Sequence, residues 1–484
     1  MKIAPPLLFA TLSLAVALEG AAPRVPNDEA AITHALNRMT FGPRPGDVAR
    51  VRGESLARWI DRQLQPARIR NGSLDGRLAR LDTLTLDSAT IARDFFLPAR
   101  QQRQAQQRAA AGGGAMAPGQ ATVQTRARDP IISQERRIFN ELSEAKLLRA
   151  VYSERQLEEV LVDFWFNHFN VFARKGQTGI YVGEYEREAI RPYVLGKFRD
   201  MIDATAKSPA MLFYLDNWQS VAPNPRLGRR MNPAQHNRPR RGLNENYARE
   251  LLELHTLGVA GGYTQNDIVQ VARALTGWTI ERPGEGGFRF ASNLHDREAK
   301  TVLGHDIPAG GGMEDGERVL DILARHPSTA RHIAFKIAQR FVSDTPPQAL
   351  VDRAVRTFQQ TDGNLREVVR TIVTSPQFFD PGVRSAKVKT PFEFVASALR
   401  ATEADVRHGQ GVIRALGDMG MPLYLCQPPT GYDDTAGAWV SSGALVTRIN
   451  FAVALTRGQV RGVQLPAHVR ADALALGSAD FQKQ

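Results

Sequence analysis

Apolar side chains recur every three to four positions in segment after segment of this chain, and that spacing most limits its fold. "GERVLDILARH", "STARHIAFKIAQRFVSD", "PPQALVDRAVRTFQQT", "NLREVVRTIVTS" and "TPFEFVASALRAT" follow one another between Gly316 and Thr402, each with one apolar side. A period of 3.6 residues puts such positions on one face of an α-helix, whereas a strand would alternate them between two faces. The expected fold is mainly all-α, a large multi-helix globular body. Residues 281–312 interrupt it. They are glycine-rich and hold two short extended pieces, "GFRFA" and "KTVLG", which predict a small β-hairpin or irregular insertion. With 43% hydrophobic residues in 484, the chain can bury a sizeable core.

The first twenty residues, "MKIAPPLLFATLSLAVALEG", join one lysine to an apolar run and then Ala15-Val16-Ala17. This is the pattern of a secretory signal peptide, cleaved after Ala17. The run is short for a bilayer span and is broken by Pro5 and Pro6. The expected location is periplasmic or secreted, with no transmembrane span in the mature chain. The expected organisation is a signal peptide at 1–17, an N-terminal helical segment at 27–95 packing on the main body, a low-complexity basic linker or insertion at 99–128, a main helical domain at 129–460 and a C-terminal tail at 461–484. Cys426 is the one cysteine, so no intrachain disulfide forms, and it reads as a buried bystander.

The formal charge is +12, but it is unevenly placed. Arg100 to Arg128 holds five arginines and no acid, and Arg226 to Arg241 holds six and no acid, which leaves +1 for everything else. Nucleic acid is excluded as the partner of an exported chain. An anionic glycan or cell-envelope polymer suits arginine-rich loops, which also serve plain solubility.

No H-E-x-x-H, G-x-S-x-G, P-loop, C-x-x-C pair or EF-hand loop occurs, so any site must be assembled from distant segments. Three segments stand out. In "VLVDFWFNHFNVF" the helix is apolar nearly all round, which predicts burial, and buried Asp163, Asn167, His168 and Asn170 then need partners. In "NENYARELLELHTLG" the wheel puts Tyr247, Leu251, Leu252 and His255 on one side, and Glu245, Asn246, Arg249, Glu250 and Glu253 on the other. Taken alone, a solvated face with a Glu245–Arg249 pair explains that pattern better than a site does, and His255 reads as core. Because the buried amides and imidazole of the aromatic helix need partners, Asn246, Glu250 and Glu253 are nevertheless expected to face an internal or cleft network. "LHDREAKTVLG" places His295, Asp296 and Lys300 in a loop.

Together "THALNRMTFGP", "DFWFNHFNV", "NENYARELLELHTLGV", "GYTQNDIVQVARALTGWT", "HDREAKTVLG", "IAFKIAQRFVSD", "SPQFF" and "TRINFAVAL" resemble the bacterial domain-of-unknown-function 1800 family, from about Ala31 to Leu455. The resemblance implies an exported, large, mostly helical protein whose gene often neighbours that of a second exported protein. It carries no catalytic residues, because the family's reaction is not established. It does select Asn167 and His168; Asn244, Glu245, Asn246, Arg249, Glu250 and Glu253; Arg273, Thr276, Gly277 and Trp278; and His295, Asp296 and Lys300.

Carboxylates, imidazole and amides in three motifs point to an enzyme, a hydrolase or lyase acting on a glycan or cell-envelope polymer. Glu250, Glu253, His168 and Asp296 are the candidate catalytic groups, because acid–base work needs groups in unlike environments. Asn167, Asn246, Arg249, Trp278, His295 and Lys300 are the candidate substrate contacts. The alternative is a non-catalytic envelope protein that binds an anionic polymer or scaffolds the neighbouring gene's product. No cofactor is expected. A divalent metal held by His168, Glu250 or Glu253, and His295 or Asp296 is the remaining alternative, although the two-residue gap from Glu253 to His255 does not suit one helix face.

Overall fold

The structure, a computed structural model, describes residues 25–112, 130–223, 242–281, 286–469 and 472–484. The signal-peptide segment, residues 113–128 of the basic insertion and the arginine-rich stretch from 226 to 241 lie outside the described residues.

The architecture is mainly helical, as the spacing predicts. The longest helix among the described residues is Pro130–Tyr152, of 23 residues. No described helix is long and apolar enough to cross a membrane. One continuous apolar core runs from Ala31 near the start to Leu476 near the end. Each large apolar side chain in it contributes roughly 1.5–3 kcal/mol.

The Gln156–His168 helix lies inside that core. Leu157, Val160, Leu161 and Trp165 are at most 1% exposed. A helix entering at such depth must satisfy its first N–H groups with protein, not water. Gln63 Oε1, from the Leu56–Gln63 helix, accepts from Leu157 N at 3.1 Å. Gln156 reaches back to the Ala150 and Ser153 carbonyls (3.0 and 2.8 Å) and accepts from Phe41 N at 3.0 Å. Two glutamines thereby join the N-terminal helices to the main body.

Two carboxylates on this helix are paired with cations. Asp163 pairs with Lys146 at 2.7 Å, and Glu159 takes a two-pronged contact from Arg191 at 3.0 Å on each arm. Tyr424 Oη donates to Glu186 at 2.8 Å beside them. Lys146, with Arg191 and Arg149, holds the Glu186 carboxyl below its ordinary value, although burial pushes it up.

The glycine-rich region forms two hairpins instead of one. Phe288–Phe290 pairs with Trp278–Ile280, and Lys300–Val302 pairs with His305–Ile307, both antiparallel. The second closes through Leu303 and Gly304, both at positive φ (49° and 79°), the two-residue turn whose twist matches paired strands. "GFRFA" and "KTVLG" therefore each fold on a near neighbour and not on each other. Towards the end of the chain, Val463–Gln464 pairs with Asp405–Val406, and Ala473–Gly477 packs on Ser442–Thr456. Gln484 exchanges backbone hydrogen bonds with Lys387 (2.8 and 3.3 Å).

Candidate functional site

The "NENYARELLELHTLG" helix changes pitch midway. Asn246–Glu250 is α-helical, and Leu251–Thr256 continues as a wider π-turn. Thr256 Oγ1 donates to Leu251 O at 2.6 Å, and Leu257 N reaches Leu252 O, five residues back, at 2.9 Å. Such turns shift side chains off the α-helical wheel and recur at functional sites. Gly258 then leaves the helix at φ +81°, and an added Cβ there would stand 2.9 Å from His332 Nδ1.

The last carbonyls of a helix have no partner within it. Here two histidines from other elements supply one each. His168, at the end of the aromatic helix, donates Nε2–H to His255 O at 3.2 Å. His332, on the Pro327–Phe341 helix, donates Nε2–H to Leu254 O at 3.2 Å. A carbonyl only accepts, so both neutral rings carry their proton on Nε2 and leave Nδ1 as an acceptor. The two rings stand 5.9 Å apart, centre to centre. Burial, then the neighbouring His332, His255 and Lys336, holds His168 well below its ordinary pKa. Burial and Lys336 lower His332, against its hydrogen bond to Leu254.

These rings line a cleft of about 190 Å³ together with Asn167, Glu253, Lys336 and Asp434. Glu253 accepts from Tyr263 Oη at 3.3 Å. Lys336 and Asp434 form an ion pair across the cleft wall. The loop that carries Thr430 and Asp434 is pinned by asparagines. Asn167 Nδ2 donates to Tyr432 O (2.8 Å) and its Oδ1 accepts from Tyr432 N (2.7 Å), while Asn170 Nδ2 donates to the Cys426 and Pro428 carbonyls (3.1 and 2.8 Å).

Gly431 makes that docking close. It sits at φ +73°, and a Cβ there would stand 2.3 Å from Asn167 O. Gly431→Ala is expected to cost at least ~1–2 kcal/mol from the left-handed backbone alone, read as a fall in the urea midpoint. A change within ~0.5 kcal/mol would disprove the docking account.

The three sequence motifs do not all meet here. His168, Asn167 and Glu253 line the cleft. Glu250 is half-buried outside the cleft lining, near Tyr214; burial and then Glu253 raise its carboxyl pKa, opposed by Arg249. Asn246 is exposed, not turned into the internal or cleft network expected of it, and donates to Leu215 O at 3.3 Å. Arg249 reaches Glu245 (3.5 Å) and Gln265 (3.3 Å) in a surface group, the pairing expected from their i,i+4 spacing. His255 is 1% exposed, packed against Phe169, as the core reading expects.

The third motif closes on itself. Arg273 grips Asp296 with two bonds (2.7 and 3.2 Å). His295 Nδ1 meets Thr276 O at 2.8 Å, and its Nε2 meets Asp315 Oδ2 at 3.1 Å. Lys300 Nζ donates to the same Asp315 oxygen (2.7 Å) and to the Asp296 and Glu298 carbonyls (2.6 and 2.9 Å). Trp278 is fully buried beside Gly316, where a Cβ would stand 2.4 Å from its ring. None of these four residues lines the cleft.

His332, Lys336 and Asp434 are cleft residues that sequence reasoning did not single out. The signal was a His and a Lys one helical turn apart in "STARHIAFKIAQRFVSD", beside an otherwise apolar stripe. Among the described residues no three His, Cys, Asp or Glu side chains converge closely enough to hold a metal ion.

Residues 34–482 match the family described as "Protein of unknown function (DUF1800)". The chain belongs to that family. No curated protein and no solved structure matches it. For a DUF1800 chain the cleft is therefore read from its own chemistry.

Proposed function

We propose that this cleft is the active site of an exported enzyme, a hydrolase or lyase that works by acid–base chemistry on a glycan or cell-envelope polymer. The observation that supports this best is the pair of neutral imidazoles, His168 and His332, each with an unpartnered Nδ1 beside the carboxylates of Glu253 and Asp434. A general base needs a lone pair within reach of the proton it takes, and a neutral imidazole supplies one. His168 or His332 accepts a proton, Glu253 serves as the opposing acid–base group, and Lys336 offsets negative charge that develops. Glu250 does not line the cleft and is not assigned a contact with substrate. Asn167 positions the loop.

The test is product formation from a panel of envelope polymers by the full chain, His168→Asn and Glu253→Gln. Each variant is expected to lose at least about tenfold in rate per folded molecule; His168→Asn also removes the donor to His255 O and lowers the unfolding midpoint. Full activity in both folded variants would sink the assignment.

A second reading, a non-catalytic binder or scaffold for an anionic polymer or an exported partner, is favoured by the closure of the His295–Asp296–Lys300 motif into the core. The arginine-rich segments would then do the gripping. Salt-sensitive retention of a polymer with no product formed supports it. Retention unchanged after deletion of residues 226–241 counts against it.

A further inference from the structure

What enters the cleft is set by the hydrogen-bonding capacity its walls have left over. Both imidazoles commit their N–H to backbone carbonyls, so His168 Nδ1 and His332 Nδ1 remain as acceptors without partners. His168 is more than nine-tenths buried, with 8% of its surface exposed, and it lines the cleft. Glu253 uses only Oε2, on Tyr263, and Asp434 uses only Oδ2, on Lys336. The side-chain amide of Asn167 is taken up by the Tyr432 backbone. Four acceptors are thus unengaged, and the one strong donor, Lys336, already has a carboxylate. With the imidazoles neutral, two carboxylates face one ammonium, so the lining is net negative. Its complement is a cationic group rich in donors and without acceptors. Val259, 76% exposed on the rim, gives the C–H side of a sugar ring an apolar surface.

We propose that the cleft binds a primary ammonium group, that of a de-N-acetylated amino sugar within the polymer. This rests on the glycan reading above. It also separates the cleft from the arginine-rich segments, which suit anionic stretches of the same polymer.

The test is calorimetric titration of the full chain with tetramers of glucosamine, N-acetylglucosamine and galacturonic acid, and with tetralysine. The glucosamine tetramer is expected to bind at least about tenfold more tightly than the acetylated one, since a charged hydrogen bond is lost on acetylation. Glu253→Gln is expected to weaken it by a similar factor, and salt to weaken it further. Equal affinity for amine and acetamide, or preference for the galacturonate, overturns the proposal on the unaltered chain, whether or not the variant folds. Tetralysine bound while the glucosamine tetramer is silent overturns the sugar assignment. Ammonium-selective binding with no cleavage of any polymer leaves this inference standing and removes the enzyme. Cleavage of acetylated or acidic polymers with no ammonium preference does the reverse.

Discussion

Taking the purified chain from pH 7.5 to pH 5 is expected to lower its unfolding free energy by several kcal/mol, on the order of 4–6. Three imidazoles are responsible. Burial, then Arg38, pushes His34 down to about 4, and burial, then His332, pushes His255 down to about 3. His168 is held well below its ordinary value by burial and its neighbours. Each folded-state pKa lies below the unfolded value of ~6.5, so the unfolded chain takes up a proton that the folded chain refuses. The stabilisation is therefore fully present above ~6.5 and is lost as the pH falls towards the folded values. Each group contributes up to ~1.4 kcal/mol per pH unit inside that window. Carboxylates held low against burial, Glu186 and Glu393 chiefly by cations and Asp344 by the Ala436 N–H and then Lys387, lose their share only at more acid pH. Urea unfolding at a series of pH values separates the two phases. His255→Phe removes one titrating ring whose Nε2 has no partner and which already packs 5.1 Å from Phe169. It is expected to flatten the slope by about one proton. A flat stability profile between pH 7 and 5 would show that these rings are charged or solvated in the fold.

The helical body was legible because helical spacing is local: apolar residues three and four apart report the buried face wherever the partner is. The burial of the aromatic helix followed from the same reasoning, and so did the core position of His255. The partners of its polar groups did not. Asp163 meets Lys146, but Asn167 meets Tyr432, 265 positions later, and nothing near Asn167 in the chain encodes that contact. The wheel drawn for "NENYARELLELHTLG" assumed 100° per residue throughout. The π-turn from Leu251 breaks that assumption for Glu253, which lines the cleft, while Asn246 and Glu250, in the α-helical part, stand at the surface and near Tyr214. The cleft itself is made where helix-end carbonyls need donors. That need is predictable for any helix, but the identity of the donors, His168 and His332, is set by tertiary packing.

The second large effect belongs to the closed motif. Asp315 is the one carboxylate shared by His295 and Lys300, and the Lys300 and His295 side chains have no exposed surface. Removing one partner of a buried ion pair leaves the other charge without compensation, at ~3–5 kcal/mol. Asp315→Ala is expected to cost that much, because the carbonyls of Asp296 and Glu298 hold the Lys300 ammonium in place but do not neutralise it. Replacing both partners behaves differently. Asp315→Leu with Lys300→Met removes both charges and keeps volume, so the double variant is expected to be more stable than Asp315→Ala despite carrying two substitutions. That inversion is the diagnostic: strict additivity of Asp315→Leu and Lys300→Met, each also measured singly, would mean the pair is solvated and the motif is not closed. If the double variant is folded, its polymer binding or turnover tells whether this motif touches the reaction. Since Lys300, His295, Asp296 and Trp278 stand apart from the cleft lining, the expected result is unchanged activity per folded molecule.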